Sequence, residues 1–180
     1  MIPDDVLDFW ENDLGPDKWY KKESVIDQII QARFLSLWEQ AREGDLGDWH
    51  QTAKGNLALI IVLDQFPRNM FRDSPKAFST DGQALSVAQS MIEKKHDWEI
   101  PGLTRQFCYM PFMHSENLID QDFCVKMMAE RMTSGNNLHH ARKHWEVIEM
   151  FGRFPHRNAI LDRQSTPVEE KFLAEGGYRA

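Results

Sequence analysis

Apolar residues recur at three- and four-residue spacings along most of the chain, and no stretch sustains a two-residue alternation. That period belongs to amphipathic helices, not strands. Pro3 suits a first helical turn ahead of Val6, Leu7, Phe9 and Trp10. Ser24 is placed to cap a long helix with apolar positions Ile26, Ile29, Ile30, Leu37, Trp38 and Ala41, and Gly44 to stop it. Asp48 is placed to cap the next helix, which carries the run Leu57–Leu63. Apolar all round, that run belongs at the centre of a fold, and Pro67 is expected to break the pattern. Thr80 to Gln83 reads as a capping box for a helix through Leu85, Ala88, Met91 and Ile92. Pro101 to Met110 is a short helical piece that Pro111 breaks. One further helix carries Leu118, Ile119, Phe123, Met127 and Met128; another carries Leu138, Ala141, Trp145, Ile148 and Phe151, with Pro155 as its end. Thr166-Pro167-Val168-Glu169 is a second capping box, with proline at the first helical position.

Composition agrees. Leu, Ala and Met number 14, 12 and 9 in 180 residues, against 5 Thr and 7 Val, a balance that favours helix over sheet. The short spacings between helices make sequence neighbours antiparallel, so an all-α stack of helical hairpins is expected. No linker interrupts it, and residues 1–180 read as one all-helical domain. A chain of this length buries roughly 70% of its unfolded surface, enough for a core without metal or disulfide.

The formal charge of −7 disfavours a phosphate backbone and an anionic membrane surface as partners. The longest apolar run, seven residues, is far short of the ~20 that span a bilayer. The acidic start Met1-Ile2-Pro3-Asp4-Asp5 lacks the layout of a signal peptide. Cys108 and Cys124 are unpatterned and suit small core hydrophobes in a reducing compartment. A cytoplasmic location is expected.

One phrase occurs twice. Asp64-Gln65-Phe66-Pro67-Arg68-Asn69 and Gly152-Arg153-Phe154-Pro155-His156-Arg157-Asn158 each follow an apolar helix, with Phe-Pro at the expected break. In a structural reading, Arg satisfies the last carbonyls of the preceding helix and Asn caps the next. In a functional reading, the two corners bring Arg68, Asn69, Arg72, His156, Arg157 and Asn158 to a shared concavity. Residues 64–72 and 153–163 hold five bases and two acids on an otherwise acidic chain, a candidate site for a carboxylate or phosphate.

The segments Leu59–Arg72, Tyr109–Glu116 and Phe151–Asn158 resemble those of the bacterial domain-of-unknown-function family numbered 924. So do Val6–Trp10 near the start, and Ser165-Thr166-Pro167 and Glu169–Leu173 near the end. The resemblance covers essentially the whole chain. It implies an all-helical fold similar to tetratricopeptide-repeat superhelices and no established activity. The 34-residue period of true tetratricopeptide repeats is not found in this sequence.

Other residues offer chemistry. His114 and Glu116, with Asp64 as a second carboxylate, form a candidate acid–base set. Ser115 and Glu116 equally suit a helix cap. His140 and His144 share a helix face at metal-ligand spacing, but Arg142 and Lys143 crowd it, so a solvated face is the plainer reading. No phosphate-cradling glycine loop or dinucleotide fingerprint occurs, and neither cofactor nor metal is expected. Three functions stand: a scaffold binding a small anionic ligand or an acidic peptide, an enzyme using His114 with Asp64 or Glu116, and an interaction module without chemistry. Oligomeric state is not legible here.

Overall fold

The computed structural model describes residues 1–133 and 135–178, and the regular structure among them is helical throughout. The α-helices are α1 (Pro3–Asp8), α2 (Ser24–Glu43), α3 (Ala53–Ile60), α4 (Phe66–Met70), α5 (Asp81–Glu93), α6 (Met110–Met113), α7 (Leu118–Arg131), α8 (Asn137–Phe151) and α9 (Pro167–Ala174). Short 3₁₀ turns join several of them, and Pro101–Met110, expected to be helical, forms one at Gly102–Cys108. Among the described residues no helix is long and apolar enough to cross a membrane. The chain divides into two compact units, Met1–Pro111 and Phe112–Ala180.

In the first unit α3 is the central rod. Leu57 to Leu63 are all buried, as an all-round apolar segment must be. Helices α1 and α5 pack against α3, and α2 lies along α4. The α2 stripe is Ile26, Ile30, Phe34, Leu37, Trp38 and Ala41. Ile29, expected inside, is exposed, because the stripe turns away from it. Gly44 stops α2 in the left-handed conformation (φ 86°) that a Cβ disfavours. Ser24 is the first residue of α2 and does not cap it. Aromatic rings fill the space between the helices. Phe66 lies 4.5 Å from Phe34, 5.7 Å from Trp10 and 6.1 Å from Phe9, centroid to centroid.

Pro67 does not break this rod. Residues Ile61–Gln65 widen into a π-helical turn, and the helix resumes as α4 with Pro67 in its first turn. Proline cannot donate to the carbonyl of Leu63, four residues back. The Thr80 hydroxyl donates to that carbonyl instead and accepts from Trp38 Nε1 at 3.2 Å. Thr80 therefore makes no capping bond to α5, and Gln83 donates to Arg42 O rather than closing the expected box.

Thr52, not Asp48, caps α3, accepting from the Gly55 amide at 3.0 Å. A Cβ on Gly55 would run into the main-chain carbonyl of Trp49. Gly55→Ala is expected to lower stability by about 1–3 kcal/mol despite alanine's better helix propensity. Urea denaturation of the two proteins measures the difference, and a stabilised variant would contradict the close approach.

The second unit is built on the hairpin of α7 and α8, tied by Trp145 Nε1 donating to Asp122 Oδ1 at 2.6 Å. Its small core is Val147, Ile148 and Phe154, with Phe151, Phe172 and Tyr178 packed against it. Ile119, expected on the buried stripe of α7, is exposed; Gln121 and Cys124 are buried there instead. Gln121 donates to the carbonyls of Phe112, Met113 and Ser115, closing the end of α6. Gly152 (φ 67°) ends α8 before Pro155, which opens a 3₁₀ turn. The capping box at α9 forms as read: Thr166 Oγ1 accepts from Glu169 N, and Glu169 accepts from Thr166 N.

Candidate functional site

The repeated phrase builds two different corners. In the first unit, the π-helical turn directs both Asp64 and Gln65 inward, so consecutive polar residues are buried where an α-helix would send one outward. Arg68 stands one turn further on. It forms an ion pair with Asp64 (3.0 Å) and a two-pronged pair with Asp81 (2.9 and 3.0 Å). Burial alone would lower the guanidinium's affinity for its proton; Asp64 and Asp81 outweigh that and raise it. Asn69 and Arg72 both grip Asp27 on α2, at 2.9 Å and at 2.7 and 2.8 Å. Gln106 accepts from the Tyr20 hydroxyl at 2.7 Å, and burial, then the Asp64 charge, push that phenol's pKa up.

In the second unit, the 3₁₀ turn Pro155–Arg157 carries the corner. Phe154 is buried and forms its wall, with the Arg157 guanidinium 4.5 Å from the ring centre. Arg157 Nη1 donates to His114 O at 3.1 Å. The ring of His144, on α8, lies 5.6 Å from Phe154 and 6.2 Å from His114. Its Nδ1 bonds to His140 O at 2.8 Å; an acceptor carbonyl requires the proton on Nδ1. Burial first, then His114 and Arg157, hold the His144 pKa down at about 3, so the ring is neutral at physiological pH. Asn158 is buried and donates to Ser165 Oγ at 3.0 Å. His156 is half-buried, its ring 5.7 Å from Phe154.

Glu116 does not cap α7; Asn117 does. Its carboxylate accepts from Phe154 N at 2.8 Å and from Arg163 at 2.7 and 3.0 Å. Burial would raise its pKa, but Arg163, the Phe154 amide and Arg157 hold it below the usual carboxylate range. Arg153 pairs with Glu169 at 2.6 and 2.7 Å. Four of the five arginines counted in the basic segments are thus neutralised by carboxylates that lie in neither segment, apart from Asp64.

The structure therefore brings Asp64 to Arg68, Asn69 to Arg72 through Asp27, and His114 to Arg157. It gives Glu116 to Arg163 rather than to an imidazole. Sequence reasoning passed over His144 as a solvated position. The signal was present: His144 is three residues after Ala141 and four before Ile148, on the buried stripe. Among the described residues, no three metal-ligating side chains gather in one place.

A family model described as "Bacterial protein of unknown function (DUF924)" matches residues 6–177. Among solved structures, the protein of unknown function ATU0120 from Agrobacterium tumefaciens is 39% identical to this chain. The match covers 97% of each chain, with a TM-score of 0.92. Among curated proteins, none matches the chain.

Proposed function

We propose that this chain, which belongs to the DUF924 family of bacterial proteins of unknown function, is a binding scaffold of the cytoplasm. In this reading its helices stack in the manner of tetratricopeptide repeats. Its unit Phe112–Ala180 binds a small anionic ligand, or the carboxylate of an acidic peptide, at the corner of His114, His144 and Arg157. One observation carries the reading: His144 and Arg157, from two separate elements, flank the same buried ring, Phe154, and the His114 ring lies 6.2 Å from that of His144. Cys108 and Cys124, both buried and not joined in a disulfide, support the reducing compartment.

The chemistry runs through His144. Its proton is disfavoured by a dry, basic neighbourhood. An anion placed there reverses that field, so it binds together with a proton on His144. Arg157 and His156 supply further donors, and Asn158 orients the turn. Arg68, Asn69 and Arg72 serve the fold in this reading, because their donors already face Asp64, Asp81 and Asp27. The acid–base reading is less well supported. Arg163 keeps Glu116 ionised, which suits a fixed charge and not a proton donor.

The test is an NMR titration of the His144 ring with and without inorganic phosphate, citrate or an Asp/Glu-rich peptide. The expected result is a His144 pKa raised by a unit or more. It is accompanied by a gain of about 2.7 kcal/mol in stability at a hundred-fold excess over the dissociation constant. A ring whose titration none of the three anions moves would overturn the proposal.

A further inference from the structure

A groove of about 550 Å³ opens on the first unit, between α1, the start of α3 and the segment Glu99–Pro101. It lies within the size range of small-molecule sites. Its floor is apolar: Leu7, Leu57 and Ile100 line it and are otherwise buried. Its rim is charged, and the charges do not cancel. Lys54 is held by Asp4 at 2.6 Å, and Arg33 by Asp13 at 3.1 Å, so both bases of the lining have their own carboxylates. Asp5, Asp8, Glu11 and Glu99 also lie along the edge, with only Glu11 in the field of Lys54. Asp5 accepts from the Ile2 amide, and Asp8 from Asn12. Neither contact brings a compensating positive charge.

We infer that this groove binds a linear aliphatic polyamine, its methylenes on the Leu7–Leu57–Ile100 floor and its ammonium groups on the rim carboxylates. The excess of acids over bases around an apolar floor points to this chemistry. Among the described residues no three acidic or other ligating side chains converge as a divalent cation requires. Separated carboxylates over an apolar strip instead match cations separated by hydrocarbon. Such a ligand meets the floor without burying a peptide group that would lose its hydrogen bonds. The inference goes beyond the anion site, which lies in the other unit.

Calorimetric titration of the full chain with spermidine at low salt tests it. Magnesium chloride, 1,6-hexanediol and a lysine-rich peptide are the comparisons. Saturable one-to-one binding of spermidine is expected, with no matching signal from magnesium or the diol. The double variant Glu11→Gln, Glu99→Gln is expected to bind about ten-fold more weakly, about three-fold for each rim carboxylate. Circular dichroism confirms that it is folded. Absence of spermidine binding, unchanged affinity in the folded variant, an equal response to magnesium, or tighter binding of the peptide would each overturn the inference. Spermidine binding by a chain whose His144 ignores anions would leave this inference standing without the preceding one.

Discussion

Phe66→Ala is expected to cost about 3–5 kcal/mol of stability. Phe66 has no solvent exposure, and its ring touches those of Phe9, Trp10 and Phe34, which come from α2 and from the π-helical turn Phe9–Leu14. Truncation leaves a ring-sized void that helices tied to one another cannot collapse to fill. The position is also the seam where the π-helical turn Ile61–Gln65 returns to α4. Slack there loosens Asp64 and Arg68 as well as the core. For a chain of this length the loss lowers the melting temperature by about 10 °C. Phe66→Leu keeps most of the volume and is expected to cost about 1 kcal/mol. Urea denaturation followed by tryptophan fluorescence measures both. A loss below 1 kcal/mol for alanine would mean that this ring cluster is not the structural centre of the unit.

Acidification is expected to destabilise the second unit through His144 well before any carboxylate is protonated. An unfolded imidazole takes up its proton near pH 6.5, and the folded His144 only at about 3. Between those values the unfolded chain binds more protons, so falling pH favours unfolding. The contribution of His144 is complete above about pH 6.5. It declines at roughly 1 kcal/mol per pH unit until about pH 3. His140, whose pKa burial and His139 also lower, adds to the same trend. Asp27, Glu116 and Glu169 act in a lower window, since each has a pKa held below its usual value. The interval from pH 6.5 to about 5.5, above the unfolded carboxylate range, therefore isolates the histidines. His144→Phe keeps an aromatic ring beside Phe154 and Tyr178 and is expected to flatten most of the slope there. Denaturation midpoints at pH 7, 6.5, 6 and 5.5 measure it. A slope as steep in the variant as in the parent would show that His144 is not the buried neutral base.

Local signals were read correctly where one segment decides its own structure. The buried run Leu57–Leu63, the stop at Gly44 and the capping box at Thr166–Glu169 need only neighbouring residues. The proline signals misled in both copies of the repeated phrase. Pro67 sits inside a continuing helix because Thr80, thirteen positions later, occupies the carbonyl that proline leaves open. Pro155 follows a helix that Gly152 had already ended. The charge reading misled for a related reason. Counting bases along residues 64–72 and 153–163 made a basic island, but Arg72 reaches back 45 residues to Asp27, and Arg163 reaches back 47 to Glu116.

From the chain's own order of residues come its all-helical class, its membership of a bacterial family and the stripes that fill its core. These follow from a period of 3.6 residues and from side chains that prefer burial, properties a linear string already contains. Which arginine meets which carboxylate, which histidine loses its proton and which acids edge a groove were settled only when distant helices packed. Coulomb attraction and desolvation depend on separation in space, and separation along the chain does not determine it.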